Sequence, residues 1–431
     1  MLHAFIHFAP GVSTPTMQDE YPLTPVPQSN HRTWWSVAAI SSLVSLSLPT
    51  FLTGIEVGRN MAWADAVMAI YLGSIILAAI GGIAATLGVR YRLTSYALIH
   101  LSFGGNAARL VNLAFGLSLV GWFGVNVDLF SEAVLDLIQP SETSASLILM
   151  IEISAGLLIT LSTLLGFIWI NRLSLIFTPI LMVVTALLLR VWLEGDASIT
   201  PMPADSLTFS ETVSAVVGAA VVGAVILPDI TRYVREAYGG WLVSFACYFL
   251  VAPLVMVIAA GAMNVLQTDS LLTLMTLSGL GVGAALIVVL GSWVLNSLNL
   301  YSAVLTIRAS IPESRQMGTT LCLGVLGIAA AAMDITTWFI DFLIYLSIAF
   351  IPIAGIMLVH FYTALQPVPQ DALTPSVIED SESNSRAIIA WVASLAIALA
   401  EMQTAITLSG VMSIDLLAFS AAFYYALRRL A

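Results

Sequence analysis

Charge is what this sequence has least of. Only 9% of its 431 residues are Asp, Glu, Lys or Arg, against about 25% in an ordinary soluble domain. So few charges cannot coat a globule of this size in water, which excludes a soluble enzyme, a nucleic-acid binder and a disordered scaffold. Lysine is absent, so all 14 basic residues are arginines. The two cysteines, Cys247 and Cys322, lie in apolar runs; they make no disulfide framework and fit no metal-ligand spacing. Five histidines (His3, His7, His31, His100, His360) are scattered near polar boundaries, and no cofactor is suggested. The alternating ten-residue strands of a membrane barrel are missing too.

What is present is apolar: 59% of the residues, with a mean hydropathy of +0.98. A bilayer crossing takes about 20 such residues. Twelve runs qualify, at 34–58, 62–88, 107–137, 146–168, 173–193, 212–233, 240–264, 278–305, 317–335, 337–363, 386–407 and 411–428. The fold expected is therefore an all-α polytopic membrane protein of twelve transmembrane helices. With the N-terminus cytoplasmic, the inner side receives Arg32, Arg90, Arg92, Arg109, Arg172, Arg232, Arg235, Arg308, Arg315, Arg386, Arg428 and Arg429. The outer side receives only Arg59 and Arg190. That asymmetry predicts that both termini are cytoplasmic; the expected location is the plasma (cytoplasmic) membrane. Tryptophans at 34, 35, 63, 169, 192, 241, 338 and 391 fall at span ends, as headgroup-level indoles should. Trp122 and Trp293 instead lie inside spans 3 and 8.

The first thirty residues lack the basic start and long apolar stretch of a signal peptide. Residues 1–33 read as a cytoplasmic tail, disordered over its Pro/Ser/Thr-rich part at 10–30. A ten-helix core follows at 34–363, with one block at about 34–193 and another at about 212–363. A polar, proline-bearing linker (364–385) then leads to a terminal helix pair at 386–431. Spans 1 and 6 hold corresponding positions in the two five-helix blocks, and both contain helix breakers. Span 1 has Ser45-Leu46-Ser47-Leu48-Pro49-Thr50, Gly54 and Gly58; span 6 has Gly218, Gly223 and Pro228. An odd number of helices per block inverts the second block. Paired interrupted helices in an inverted repeat point to a transporter with a midplane site, where unpaired backbone groups line a cavity.

Several segments resemble the nucleobase–cation symporter-1 family, in its purine/cytosine permease branch. They are Thr24-Pro25-Val26-Pro27-Gln28-Ser29 before span 1, Ser102-Phe103-Gly104 with Val120-Gly121-Trp122-Phe123-Gly124-Val125 in span 3, and Asp229-x-x-Arg232-Tyr233 at the inner end of span 6. Weaker echoes are Trp293-x-x-Asn296 with Leu300-Tyr301, and Ile351-Pro352-x-x-Gly355. The resemblance implies the leucine-transporter-type fold, two inverted five-helix repeats plus two helices. It also implies alternating access and ion-coupled uptake of a planar nitrogen heterocycle. Trp122 then matches the family's stacking tryptophan, and an indole face suits a flat heteroaromatic solute; filling a helix interface is the plainer alternative. Gly121 and Gly124 leave room for a ring or a close helix approach.

Departures from the family pattern narrow the solute. Leu119 stands where cytosine permeases carry a glutamine, and Ala220 where they carry an aromatic residue that closes over the base. Losing a buried amide removes discrimination worth up to a few kcal/mol, which argues against cytosine and for a larger or less polar ring. Asn126, Asn296 and Asn299 are the amides left to read ring edges, or else to bond between helices. For the coupling ion, Val294 and Leu295 replace the hydroxyls that sodium-coupled relatives supply in span 8, leaving oxygens near Ser47 and Thr50. Weak or absent sodium coupling is expected, with protons as the alternative. Asp128, Glu132 and Asp136 share one face of span 3, and Glu56 lies three residues before Arg59. Acids at membrane depth are functional candidates, although a solvated vestibule wall or a simple Glu56–Arg59 pair is a plainer account of them than a proton relay. Asp229 and Arg232 read as an inner gate or loop anchor. An amino-acid or amine carrier on the same fold and a non-transporting sensor remain open; a membrane-embedded enzyme lacks the clustered catalytic groups it would need.

Overall fold

The structure is a computed structural model that describes residues 24–140, 142–164, 167–195, 207–311, 314–363, 382–404 and 407–430. The twelve spans appear with small shifts. Spans 2 to 5 are Trp63–Tyr91, Gly105–Ile138, Ala145–Leu164 and Phe167–Glu194. Spans 8 to 12 are Val282–Ser310, Gln316–Ala332, Phe339–Tyr362, Ser385–Thr404 and Met412–Arg429. Nine of the described helices are long and apolar enough to cross a membrane. Span 1 misses that measure because it is two short helices, Trp34–Ser45 and Leu48–Asn60.

The packing carries a repeat. Span 2 runs along span 6, and span 7 runs along the second half of span 1. These pairs exchange when every span number is shifted by five. Spans 3 and 8, equivalent under the same shift, form the most extensive contact in the molecule. Spans 11 and 12 pack on each other and on span 10.

Span 6 departs from the reading above, and span 7 adds an irregularity of its own. Span 6 is unbroken from Phe209 to Val225, through Gly218 and Gly223. Its only tightening is the turn at Ile226–Leu227 before Pro228–Thr231, near the arginine-rich end rather than the midplane. Glycine alone does not break a helix that packing supports. A Cβ on Gly218 would lie inside the backbone carbonyl of Leu343, so this glycine lets span 6 meet span 10. Span 7 (Gly239–Leu266) carries a π-helical stretch, Phe245–Val251, just before Pro253; a proline that cannot donate its N–H is one cause of such wide turns.

Residues 24–33, expected within the loose tail, are held. Val26 is buried and its N–H donates to the Arg92 carbonyl, and Arg32 bridges to Tyr233 and Arg235 through backbone bonds of 2.7 Å each. Residues 1–23 and 364–381 lie outside the described residues. The linker's last residues cap the turn into span 3: Asn384 donates to the carbonyls of Phe103 (2.7 Å) and Ser102 (2.8 Å). Gly104, at φ +75°, faces the Glu382 backbone there and leaves no space for a side chain. A helix between spans 2 and 3, Ser95–Phe103, was not legible as a separate element in the apolar pattern.

Candidate functional site

The break in span 1 comes first. Helix stops at Ser45; Ser47 is extended (φ −135°, ψ 154°), and helix resumes with Pro49 in its first turn, where a missing N–H costs nothing. The Ser47 and Thr50 hydroxyls lie 3.0 Å apart, and the Ser47 carbonyl accepts from Thr50 N–H at 2.9 Å. Gly291 of span 8 faces Leu48 and Phe177, so the break abuts spans 5 and 8. Val294, buried, and Leu295, half-buried, carry no side-chain oxygen. The first half of span 1 is tied to the π-helical stretch of span 7. Cys247 Sγ donates to the Ser41 carbonyl (3.0 Å), and Ser45 Oγ donates to the Cys247 carbonyl (3.2 Å).

Trp122, 8% exposed, sits at the middle of span 3. Two rings of span 10 meet it in edge arrangements, Phe342 at 5.3 Å and Phe339 at 6.1 Å between centroids. A Cβ on Gly121 would stand 2.5 Å from the Phe342 ring, and one on Gly124 2.9 Å from Ala330. Both glycines therefore serve close helix approach, to spans 10 and 9. Leu119 joins a different apolar cluster, with Val120, Phe123, Leu300 and Trp293. Trp293 donates to Ser162 Oγ at 3.0 Å, a helix-to-helix bond.

The amides give the sharper observation. Asn126 Nδ2 donates to the Trp122 carbonyl (2.7 Å), and Asn296 Nδ2, from span 8, donates to the next carbonyl, Phe123 (3.1 Å). Both side chains are buried, and Asn126 Oδ1 and Asn296 Oδ1 have no partner. An orphaned buried acceptor costs about 1–3 kcal/mol. Asn299, half-buried, lies one turn further along span 8, and Ala220 is half-buried against the main apolar cluster that holds Trp122.

Polar contacts gather at the two ends. At the arginine-rich end, Asp229 accepts from Ser95 N–H (2.7 Å) and Ser95 Oγ (2.8 Å). Arg232, 1% exposed, donates from Nε to the Asp229 backbone carbonyl (3.2 Å) and lies over the Tyr233 ring. Arg92 donates to the carbonyls of Arg232 and Val234. The pair thus ties span 6 to the connection between spans 2 and 3. Beside it, burial and then the nearby Arg92 hold the His31 imidazole below its ordinary pKa, so it stays neutral at neutral pH. At the far end, Arg59 pairs with Asp269 (3.2 Å) and more loosely with Glu56 (3.7 Å), and Ser270 donates to Glu132. Thr336, just before span 10, donates to Asp128 from its N–H and its hydroxyl, both at 3.1 Å.

The sequence model of a family described as permeases for cytosine/purines, uracil, thiamine and allantoin matches residues 25–423. The chain belongs to this family. The permease is 26% identical to the cytosine permease of Escherichia coli O157:H7 over 379 residues, 87% of this chain and 86% of that one. Against the cytosine permease of strain K12 the identity is 25% over the same shares. Its fold matches the inward-facing conformation of Mhp1 with a TM-score of 0.79 at 15% identity, over 97% of this chain and 94% of that one. A closed conformation of Mhp1, a nucleobase-cation-symport-1 family transporter with bromovinylhydantoin bound, gives 0.72 at 16% identity, over 95% and 94%. The permease is thus a multi-pass transporter on a twelve-helix, inverted-repeat fold, and not an enzyme.

Sequence reasoning passed over Glu152 and Thr336. The signal for Glu152 was available, since it is the only charged residue within the described helix of span 4 and a lone acid at membrane depth is a functional candidate. Thr336 carried none, because only the fold sets it against span 3.

Proposed function

We propose that the permease imports a planar nitrogen heterocycle of the nucleobase class, stacked on Trp122 and read by Asn126 and Asn296, with the arginine-rich end and both termini in the cytoplasm. The pair of unpartnered amide oxygens carries this reading. Each amide is held by a neighbouring carbonyl of span 3, so each offers a fixed acceptor to a ring N–H. A solute that donates to both relieves the penalty of two buried acceptors, and one that lacks the donors does not. With Leu119 facing another cluster and Ala220 leaving space, the ring is larger or less polar than cytosine. The test is binding of purines, pyrimidines, hydantoins and thiamine precursors to purified Asn126→Leu and Asn296→Leu. Each substitution is expected to weaken binding roughly tenfold, the effect of one hydrogen bond of about 1.5 kcal/mol, while leaving thermal stability near that of the parent. Loss of stability with unchanged binding gives the amides a purely structural role.

Transport is ion-coupled in this reading, with sodium a minor contributor. By the family resemblance, apolar Val294 and Leu295 of span 8 stand at positions where a hard cation would want oxygen. Uptake into proteoliposomes should hold within about twofold, below 0.5 kcal/mol in driving terms, when sodium is replaced by choline at constant pH. A collapse of uptake restores sodium as the coupling ion. In this reading Arg59–Asp269, Glu132–Ser270 and Asp128–Thr336 are the contacts that hold the far end together.

A further inference from the structure

Hydrogens are short at the far-end contact between spans 3, 4 and 10. Thr336 Oγ1 lies 3.1 Å from Asp128 Oδ2 and 3.3 Å from Asp334 Oδ1. A hydroxyl has one proton to give. It satisfies one of these oxygens; the second contact becomes a hydrogen bond only when that carboxyl carries a proton and donates to the threonine oxygen. Asp128 Oδ2 already accepts the Thr336 backbone N–H, and Asp128 Oδ1 is buried with no partner.

Glu152 of span 4 adds a third carboxyl to the electrostatic surroundings of Asp128. It is 6% exposed, and its electrostatic neighbours are Asp334 and Asp128. Around Asp128 the described groups are Thr336, Glu152 and Asp334, with no base among them. One turn outward, Glu132 faces Ser270, Asp269 and Asp136, and Asp341 is exposed at the start of span 10. The described bases at this end are engaged, Arg59 by Asp269 and Glu56 and Arg190 by Glu194. Half-buried Asp128 and buried Glu152 cannot both be charged here without a counter-ion, because unpaired buried charge is expensive. Asp334 is exposed and so links the group to outside water.

We infer that Asp128 and Glu152 form a proton-binding site, with Thr336 bridging Asp128 to exposed Asp334, and that the site is occupied when the start of span 10 is docked on span 3. The proton comes from solvent at the far end. An O–H bond forms on one carboxyl oxygen as the bond in the donating water or buffer acid breaks, and the hydrogen then bridges to Thr336. Proton uptake is thereby linked to closing this end, the linkage a proton-driven importer requires. This role in transport rests on the importer reading of the preceding section; proton occupancy does not.

Two measurements test it on the full-length protein. In infrared spectra of the purified protein at neutral pH, the carbonyl stretch of a protonated carboxylic acid should be present and should be lost or shifted in Asp128→Asn and Glu152→Gln. Exposed Asp136→Asn should leave it unchanged. A spectrum with no such band, or with a band that neither variant alters, overturns the site; so does a band removed by sodium at constant pH, which identifies a sodium site instead. If Asp128→Asn does not assemble, Thr336→Val serves in its place, since it keeps the N–H and removes the bridge. In proteoliposomes, a one-unit pH gradient should support about tenfold accumulation for one proton per solute. Asp128→Asn should lose that accumulation yet retain solute exchange; accumulation that survives intact overturns the coupling. No wild-type uptake of any ring tested defeats the importer reading, and the infrared result then still decides the proton site.

Discussion

Trp122→Ala is expected to weaken solute binding by about 1–3 kcal/mol, roughly 5- to 150-fold, from lost stacking alone. Trp122→Phe should recover part of that, since a smaller ring still offers a face. The residue is also packed, with Phe342 and Phe339 against it, and truncating a buried tryptophan costs about 3–5 kcal/mol of stability. The two effects separate if binding is measured calorimetrically on the monodisperse fraction of detergent-purified protein. A folded Trp122→Ala that binds its ring like the parent removes the indole from the site and leaves it as interface filler.

The second large effect is steric. Gly218→Ala puts a methyl group where the Leu343 carbonyl already is. Backbone stands on both sides of that contact, so no side chain can swing away, and spans 6 and 10 must separate. Overpacking of this kind costs about 1–3 kcal/mol and sometimes more. The expected result is a clear fall in the thermal midpoint in detergent, together with loss of transport, because span 10 also carries the aromatic pair against Trp122. Gly318→Ala, at a glycine of span 9 whose Cβ would meet nothing within 4 Å, is the matched control and should change neither. Equal midpoints for the two variants would falsify the close approach.

Much of this was legible in the residues. Long apolar runs bounded by arginines and indoles set the spans to within a few positions, because a bilayer imposes one length on every crossing helix. The break in span 1 was legible as well, since Ser47-Leu48-Pro49 offers both a residue at ease in extended backbone and a proline suited to a helix start. Span 6 was not. Gly218 and Gly223 look like breakers in one dimension, and only the nearness of Leu343 and Tyr248 shows them to be points of contact inside a continuous helix. Asp128 was singled out from its position in span 3, but its partners come from residues 334, 336 and 152, and no periodicity along one helix reports on such a meeting.

The sequence by itself determined the solvent this chain lives in, the number and bounds of its crossings, the family motifs and the tryptophan at the heart of span 3, because hydropathy and local breakers act along the chain. The tertiary structure alone decided which amides lost their partners, which glycines touch backbone and which carboxyls share a hydroxyl. Those depend on distances of a few ångströms between residues far apart in the chain, and packing sets such distances only once the two halves have closed on each other.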